Sequence, residues 1–163
     1  MASIQTDVTI NIGLEEKNRQ AVVKALTKVL ADEHVLYNKI RSYHWNVEGT
    51  SFMEFHKLFE GQYLQTAEDI DSIAERIRSL GHYAEGRLKE LLKVSELEEP
   101  SIPSDPFDQV ANLVVDHETI IRNLRELVGK FADEYGDDGS SDFVTGLMQA
   151  HEKTAWMLRS YLK

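Results

Sequence analysis

The sequence predicts an all-α fold, a four-helix bundle with one long crossover. Three observations predict it. Nothing in the chain alternates apolar and polar residues for long, apolar residues recur at i, i+3 and i+4 over long stretches, and proline stands only at 100, 103 and 106. A length of 163 residues suits one domain with a core of its own, so 1–163 is read as a single unit, residues 1–13 forming an N-terminal extension.

The first helix is expected from about Leu14 to Asn46, with Val22, Leu26, Val29, Tyr37 and Ile40 on one stripe. The second opens at Ser51, where Ser51-Phe52-Met53-Glu54 reads as a capping box, and closes at Gly81 as the glycine after its C-terminus. Phe52, Phe55, Phe59, Tyr63, Ile70, Ile73, Ile77 and Leu80 share one face of it, the face that builds the core. A short amphipathic piece, RLKELLKV, precedes the proline-containing connection. The third helix takes Asp105 as N-cap and Pro106 at its first position, and is expected to run to about Tyr135. The fourth begins near Ser140 or Ser141 and ends at Lys163. Short loops join the first pair and the last pair, so the long crossover lies between the second and third helices.

Composition closes several routes. The chain has no cysteine, which excludes disulfides, thiolate metal sites and cysteine nucleophiles. No stretch approaches the roughly 20 apolar residues of a membrane span, and MASIQTDVTINIG has neither the basic start nor the apolar run of a secretory signal. A cytoplasmic protein is therefore expected. A net charge of −10 repels a nucleic-acid duplex and attracts cations.

The chemistry gathers around HWNVEGTSFMEFH, residues 44 to 56, which begins and ends on histidine. The break Asn46–Ser51 lets His44 and His56 face each other across one turn. On the second helix His56, Asp71 and Glu75 lie to one side of the apolar stripe, together with Glu60, Ala67, Ala74 and Arg78. Imidazole with carboxylate suits Fe(II), Zn(II) or another divalent first-row ion. Asp71 and Glu75 also suit a plain surface reading, with Arg78 as ion-pair partner of Glu75. Distance decides how a metal site would form: His56 and Asp71 are about 22 Å apart along a helix axis, and ligand bonds are about 2 Å. One chain cannot close that gap. Two copies of the helix packed antiparallel about a two-fold would bring His44 and His56 of one chain to the Asp71 and Glu75 of its mate, making two equivalent sites.

The runs YHWNVEG, FMEFHKLFE and DSIAERIRSLG, with the closing HEKTAWMLRSYL, resemble the signature of the Dps family, the mini-ferritins named as DNA-binding proteins from starved cells. The resemblance spans nearly the whole chain. It implies a ferritin-like four-helix subunit with a short extra helix in the crossover, which RLKELLKV matches. It also implies a shell of twelve subunits built from two-fold dimers, which oxidises Fe(II) with hydrogen peroxide and stores the Fe(III) mineral inside. Carried over, the ligands of a mono- or di-iron site, which can hold zinc on purification, are His44 and His56 from one subunit with Asp71 and Glu75 from the other. Trp45, beside His44, would supply an electron and limit escaping radicals. The acidic segment DEYGDDGSSD would line three-fold iron-entry pores through Asp133, Asp137, Asp138 and Asp142. His82, seven positions past Glu75, is a further candidate near the site.

Ordinary ferritins hold a di-iron site inside each bundle through E-x-x-H motifs. None occurs here, since Ala31, Arg41, Met53, Ser79, Val114 and Met148 stand three before the histidines. A site within the subunit is therefore not expected. Two other functions compete with the ferroxidase: a nucleoid-protecting DNA binder and a purely structural helical oligomer. Strong DNA binders of this family use basic terminal tails. The first basic residue here is Lys17 and no tail follows Lys163, so DNA binding should be weak or absent.

Overall fold

The computed structural model describes residues 9–163; the first eight residues of the expected N-terminal extension lie outside the described residues. Five α-helices follow in order: α1 Glu16–Asn46, α2 Phe52–Ser79, α3 Leu88–Leu91, α4 Pro106–Gly129 and α5 Asp138–Ser160, with a π-helical turn, Lys130–Glu134, continuing α4. There is no strand among the described residues. Helix α1 packs on α2 and α4 on α5, and α1 also meets α4, which closes the bundle. No helix among the described residues is long and apolar enough to cross a membrane.

The stripes meet in one core. Val22, Leu26, Leu36, Ile40 and Tyr43 of α1 are sealed against Phe59, Ile73 and Ile77 of α2 and against Leu113, Ile120 and Leu124 of α4. Each such side chain contributes about 1.5–3 kcal/mol through its removal from water. The crossover is tied down by Asp32, whose buried Oδ1 accepts from Ser95 Oγ at 2.8 Å and Glu96 N at 2.6 Å. A second tie is the buried ion pair of Lys39 with Asp116, 2.7 Å between α1 and α4.

Helix ends agree with the sequence in part. Asp105 caps α4, accepting from Phe107 N, with Pro106 at the first position. Gly81 follows α2 at φ +91°, and the Ile10 side chain lies where a Cβ would stand. The capping box at Ser51 does not form: that side chain makes no cap bond, and backbone bonds Phe52 N to Gly49 O and Phe55 N to Ser51 O close the turn instead. Phe52 does not join the core either. It is 38% exposed, and its ring leans on His56 with centroids 4.9 Å apart. Helix α5 starts earlier than expected, because Asp137 rather than a serine is its N-cap and accepts from Ser140 N.

Candidate metal centre

His44 lies in the last turn of α1 and His56 one turn into α2, so the short connection through Gly49, at φ +112°, sets their spacing. The two rings stack, centroids 3.8 Å apart and 20° between planes. His44 Nδ1 lies 2.8 Å from the His56 carbonyl oxygen, and His56 Nδ1 lies 2.8 Å from the His44 carbonyl oxygen. A carbonyl oxygen only accepts, so each Nδ1 carries a proton and donates it. With the proton on Nδ1, Nε2 is the ring nitrogen left to offer a lone pair to a metal. This is the usual arrangement behind a metal-ligating histidine, where the second nitrogen fixes tautomer and orientation.

Asp71 and Glu75 are exposed on α2, one turn apart, and neither has a side-chain partner among the described residues. Arg78 does not pair with Glu75. It donates to the His82 carbonyl at 3.0 Å and covers the Tyr83 ring at 4.5 Å. The structure thus brings the two histidines together and leaves the two carboxylates apart from them on the same helix. Trp45 is 63% exposed, with the Arg41 guanidinium 5.0 Å from its ring centre. His82 turns toward the start of α1, its Nε2 3.3 Å from Glu16 Oε1.

A second cluster lies inside the bundle, where the sequence pointed to no site. Glu33 of α1, Asp69 of α2 and His151 of α5 each place a ligand atom within 4.8 Å of the others. His151 Nε2 is 2.7 Å from Glu33 Oε1, and its Nδ1 is 2.8 Å from Nδ1 of His117 on α4. Every helix of the bundle gives one residue. Burial holds His117 well below the ordinary imidazole range, and the neighbouring His151 adds to the effect. For His151, burial opposes the charge, but Glu33 and Asp69 outweigh it and raise the group. Asp69 is raised by burial first and by the Glu33 charge second.

Residues 23–163 match the family described as ferritin-like domain. A DNA protection during starvation protein of Porphyromonas gingivalis is 37% identical over 91% of this chain and 93% of its own length. The chain belongs to the Dps family. A low temperature-induced protein of Nostoc sp. is 47% identical over 94% of this chain and 87% of its own. Among solved structures, a Dps protein of Vibrio cholerae O1, described as a member of a superfamily of ferritin-like diiron-carboxylate proteins, superposes with TM-score 0.90. It is 32% identical, over 95% of this chain and 97% of that one.

Within this Dps fold the four acids of the 133–142 segment divide. Asp133, Asp138 and Asp142 are exposed. Asp137 is only 3% exposed and is engaged inside the subunit, 2.9 Å from Arg76 Nη2 and within hydrogen-bond reach of Ser140 Oγ. The interior cluster left only a trace in the sequence. Glu33 stands on the α1 apolar stripe between Leu26, Leu30, Leu36 and Ile40, His117 between Leu113 and Ile120, and His151 between Leu147 and Leu158. One polar residue on each of three core faces asks for a common partner.

Proposed function

We propose that this Dps chain is a ferroxidase and iron-storage subunit, with Fe(II) as substrate and hydrogen peroxide as oxidant. Two Fe(II) give one electron each to H2O2; its O–O bond breaks, two protons are taken up, and two Fe(III) and two waters result. The site is shared, with His44 and His56 of one subunit facing Asp71 and Glu75 of the partner subunit. Twelve subunits arranged as two-fold dimers form the shell that keeps the mineral.

The observation that carries the reading is the paired tautomer: two Nε2 atoms presented from one turn, with Asp71 and Glu75 of the same chain too far along α2 to reach them and the nearer Glu60 held by Lys57 at 2.6 Å. The surface of α2 supports the two-fold. For position 56 of one helix to meet position 71 of an antiparallel copy, the axis must pass near positions 63 and 64. Leu64 stands there 55% exposed, and Met53, 61% exposed, shares that face of the helix with His56 and Asp71. Small residues on the same face, Ala67 and Ala74, permit close approach of the second helix.

Within the site, His44 and His56 hold Fe(II) through Nε2 while their Nδ1 protons stay on the carbonyls. Asp71 and Glu75 complete the set and offset the ion's charge. Trp45, adjoining His44, is a source of one electron when oxidation outruns the supply of Fe(II). Protection of DNA follows from removing Fe(II) and peroxide together. A net charge of −10 gives no ground for tight contact with the duplex.

The test is anaerobic Fe(II) loading followed by measured additions of peroxide. The expected stoichiometry is two Fe(II) oxidised per peroxide, without hydroxyl radical release, and a mineral that co-migrates with the shell. Oxidation no faster than that of free Fe(II), with radicals released, would overturn the reading.

A further inference from the structure

The interior cluster is a second and separate place for a cation. We infer that Glu33, Asp69 and His151 form a binding site for one divalent first-row transition ion inside each four-helix bundle, with His117 as the residue that positions His151. The set contains no E-x-x-H motif, and its ligands come one from each of α1, α2 and α5.

Four observations converge. Glu33 is completely buried, and neither of its carboxylate oxygens completes a hydrogen bond among the described residues. His151 Nε2 is equally unsatisfied, since its approach to Glu33 is close but poorly aligned. An ionised carboxylate held in the core without partners is strongly destabilising unless a cation sits against it. As ligands, two ionised carboxylates would match the charge of one divalent ion, which one imidazolium does not.

Orientation is built in as well. His151 and His117 share a short Nδ1–Nδ1 contact, so one ring donates and the other accepts. When His151 donates, its Nε2 presents a lone pair to the two carboxylates, and the neutral His117 fixes that tautomer from behind. Space is present beside the ligands. A cavity of about 30 Å³, lined by Gln62, Gln65, Thr66, Asp69 and the two histidines, holds roughly one water, enough for a further ligand on the ion. Exposed Gln65 and Ala150 border it, so an ion enters between α2 and α5. Imidazole with two carboxylates suits Fe(II), Zn(II), Mn(II) or Co(II).

The test uses the full chain carrying Asp71→Asn and Glu75→Gln, exposed substitutions that disable the shared site. Metal-free protein is titrated with Co(II), read by visible ligand-field absorption and by melting temperature. One Co(II) per chain is expected, with a melting temperature raised by several degrees because the ion joins three helices. Glu33→Gln in that background should weaken binding at least about 100-fold, and Asp69→Asn gives a second reading at a less buried position. His117→Gln, whose amide oxygen still accepts from Nδ1, should keep more affinity than His117→Leu. No Co(II) bound in this background, or binding that Glu33→Gln and Asp69→Asn leave unchanged, overturns the inference. Failure here leaves the shared site untouched, because Glu33→Gln with Asp71 and Glu75 intact still reports Fe(II) oxidation at the interface.

Discussion

His44 and His56 donate to each other's backbone carbonyls, Nδ1 to O at 2.8 Å in both directions, across a turn of the chain. Neither ring can rotate without giving up its own bond to the other residue's backbone. The turn is therefore part of the site, and Gly49 at φ +112° is the residue that lets it close. A side chain at that φ costs about 1–3 kcal/mol of strain. Gly49→Val should weaken Zn(II) or Fe(II) binding at the shared site about tenfold or more, the scale on which supporting groups act on metal affinity. Titration of the metal-free protein measures it, with helix content by circular dichroism expected to stay near the parent's.

The Lys39–Asp116 pair sets a pH dependence that can be worked out in sign. Both side chains are less than a tenth exposed, so removing one leaves a buried charge. Lys39→Met should cost about 3–5 kcal/mol at neutral pH. Burial raises Asp116, and Lys39 partly offsets that. A carboxyl raised in the folded state binds its proton there more readily than in the unfolded chain, so acid favours folding between the unfolded value and the folded one. Without Lys39 the folded value climbs further, and the deficit of the variant should shrink as pH falls through it. Chemical denaturation at a series of pH values checks this. A deficit that stays constant or widens would show that the loss is one of packing rather than charge.

The acids near α5 should separate into two kinds. Asp137 caps the helix and pairs with Arg76, so Asp137→Asn should lower stability by about 1–2 kcal/mol. Asp138→Asn with Asp142→Asn should leave stability nearly unchanged but slow oxidation at low Fe(II), since a ring of exposed acids draws a divalent ion toward a narrow opening. Raising ionic strength should slow the parent more than this double variant. Initial rates at two salt concentrations decide it; equal rates throughout would make these residues a solvated loop.

The bundle was legible because each long helix carries a long apolar stripe and because Asp105-Pro106 and Gly81 punctuate the chain. The misreadings were local. Ser51 and Glu54 have the spacing of a capping box, but the backbone of the Gly49 turn already satisfies the first amides. Phe52 has the period of the core stripe, yet the helix begins there and the ring lies over His56 instead. The two histidines were readable from one short segment. The interior cluster was not, since Glu33 and His151 lie at opposite ends of the sequence and meet only once the register of α1 against α5 is known. A glutamate amid leucines on α1, with histidines on the core stripes of α4 and α5, was its trace.

The shared site is tested most directly by mixing two inactive chains. His44→Ala/His56→Ala lacks the imidazoles and Asp71→Ala/Glu75→Ala lacks the carboxylates; each alone should oxidise Fe(II) no faster than buffer. Co-assembled, a mixed dimer holds one site with all four ligands and one with none. The account predicts that Fe(II) oxidation returns to about a quarter of the parent rate in an equal, random mixture of the two chains, because half of the dimers are mixed and each has one working site of two. Mixed shells, verified by affinity tags on both chains, that show no recovery would contradict it.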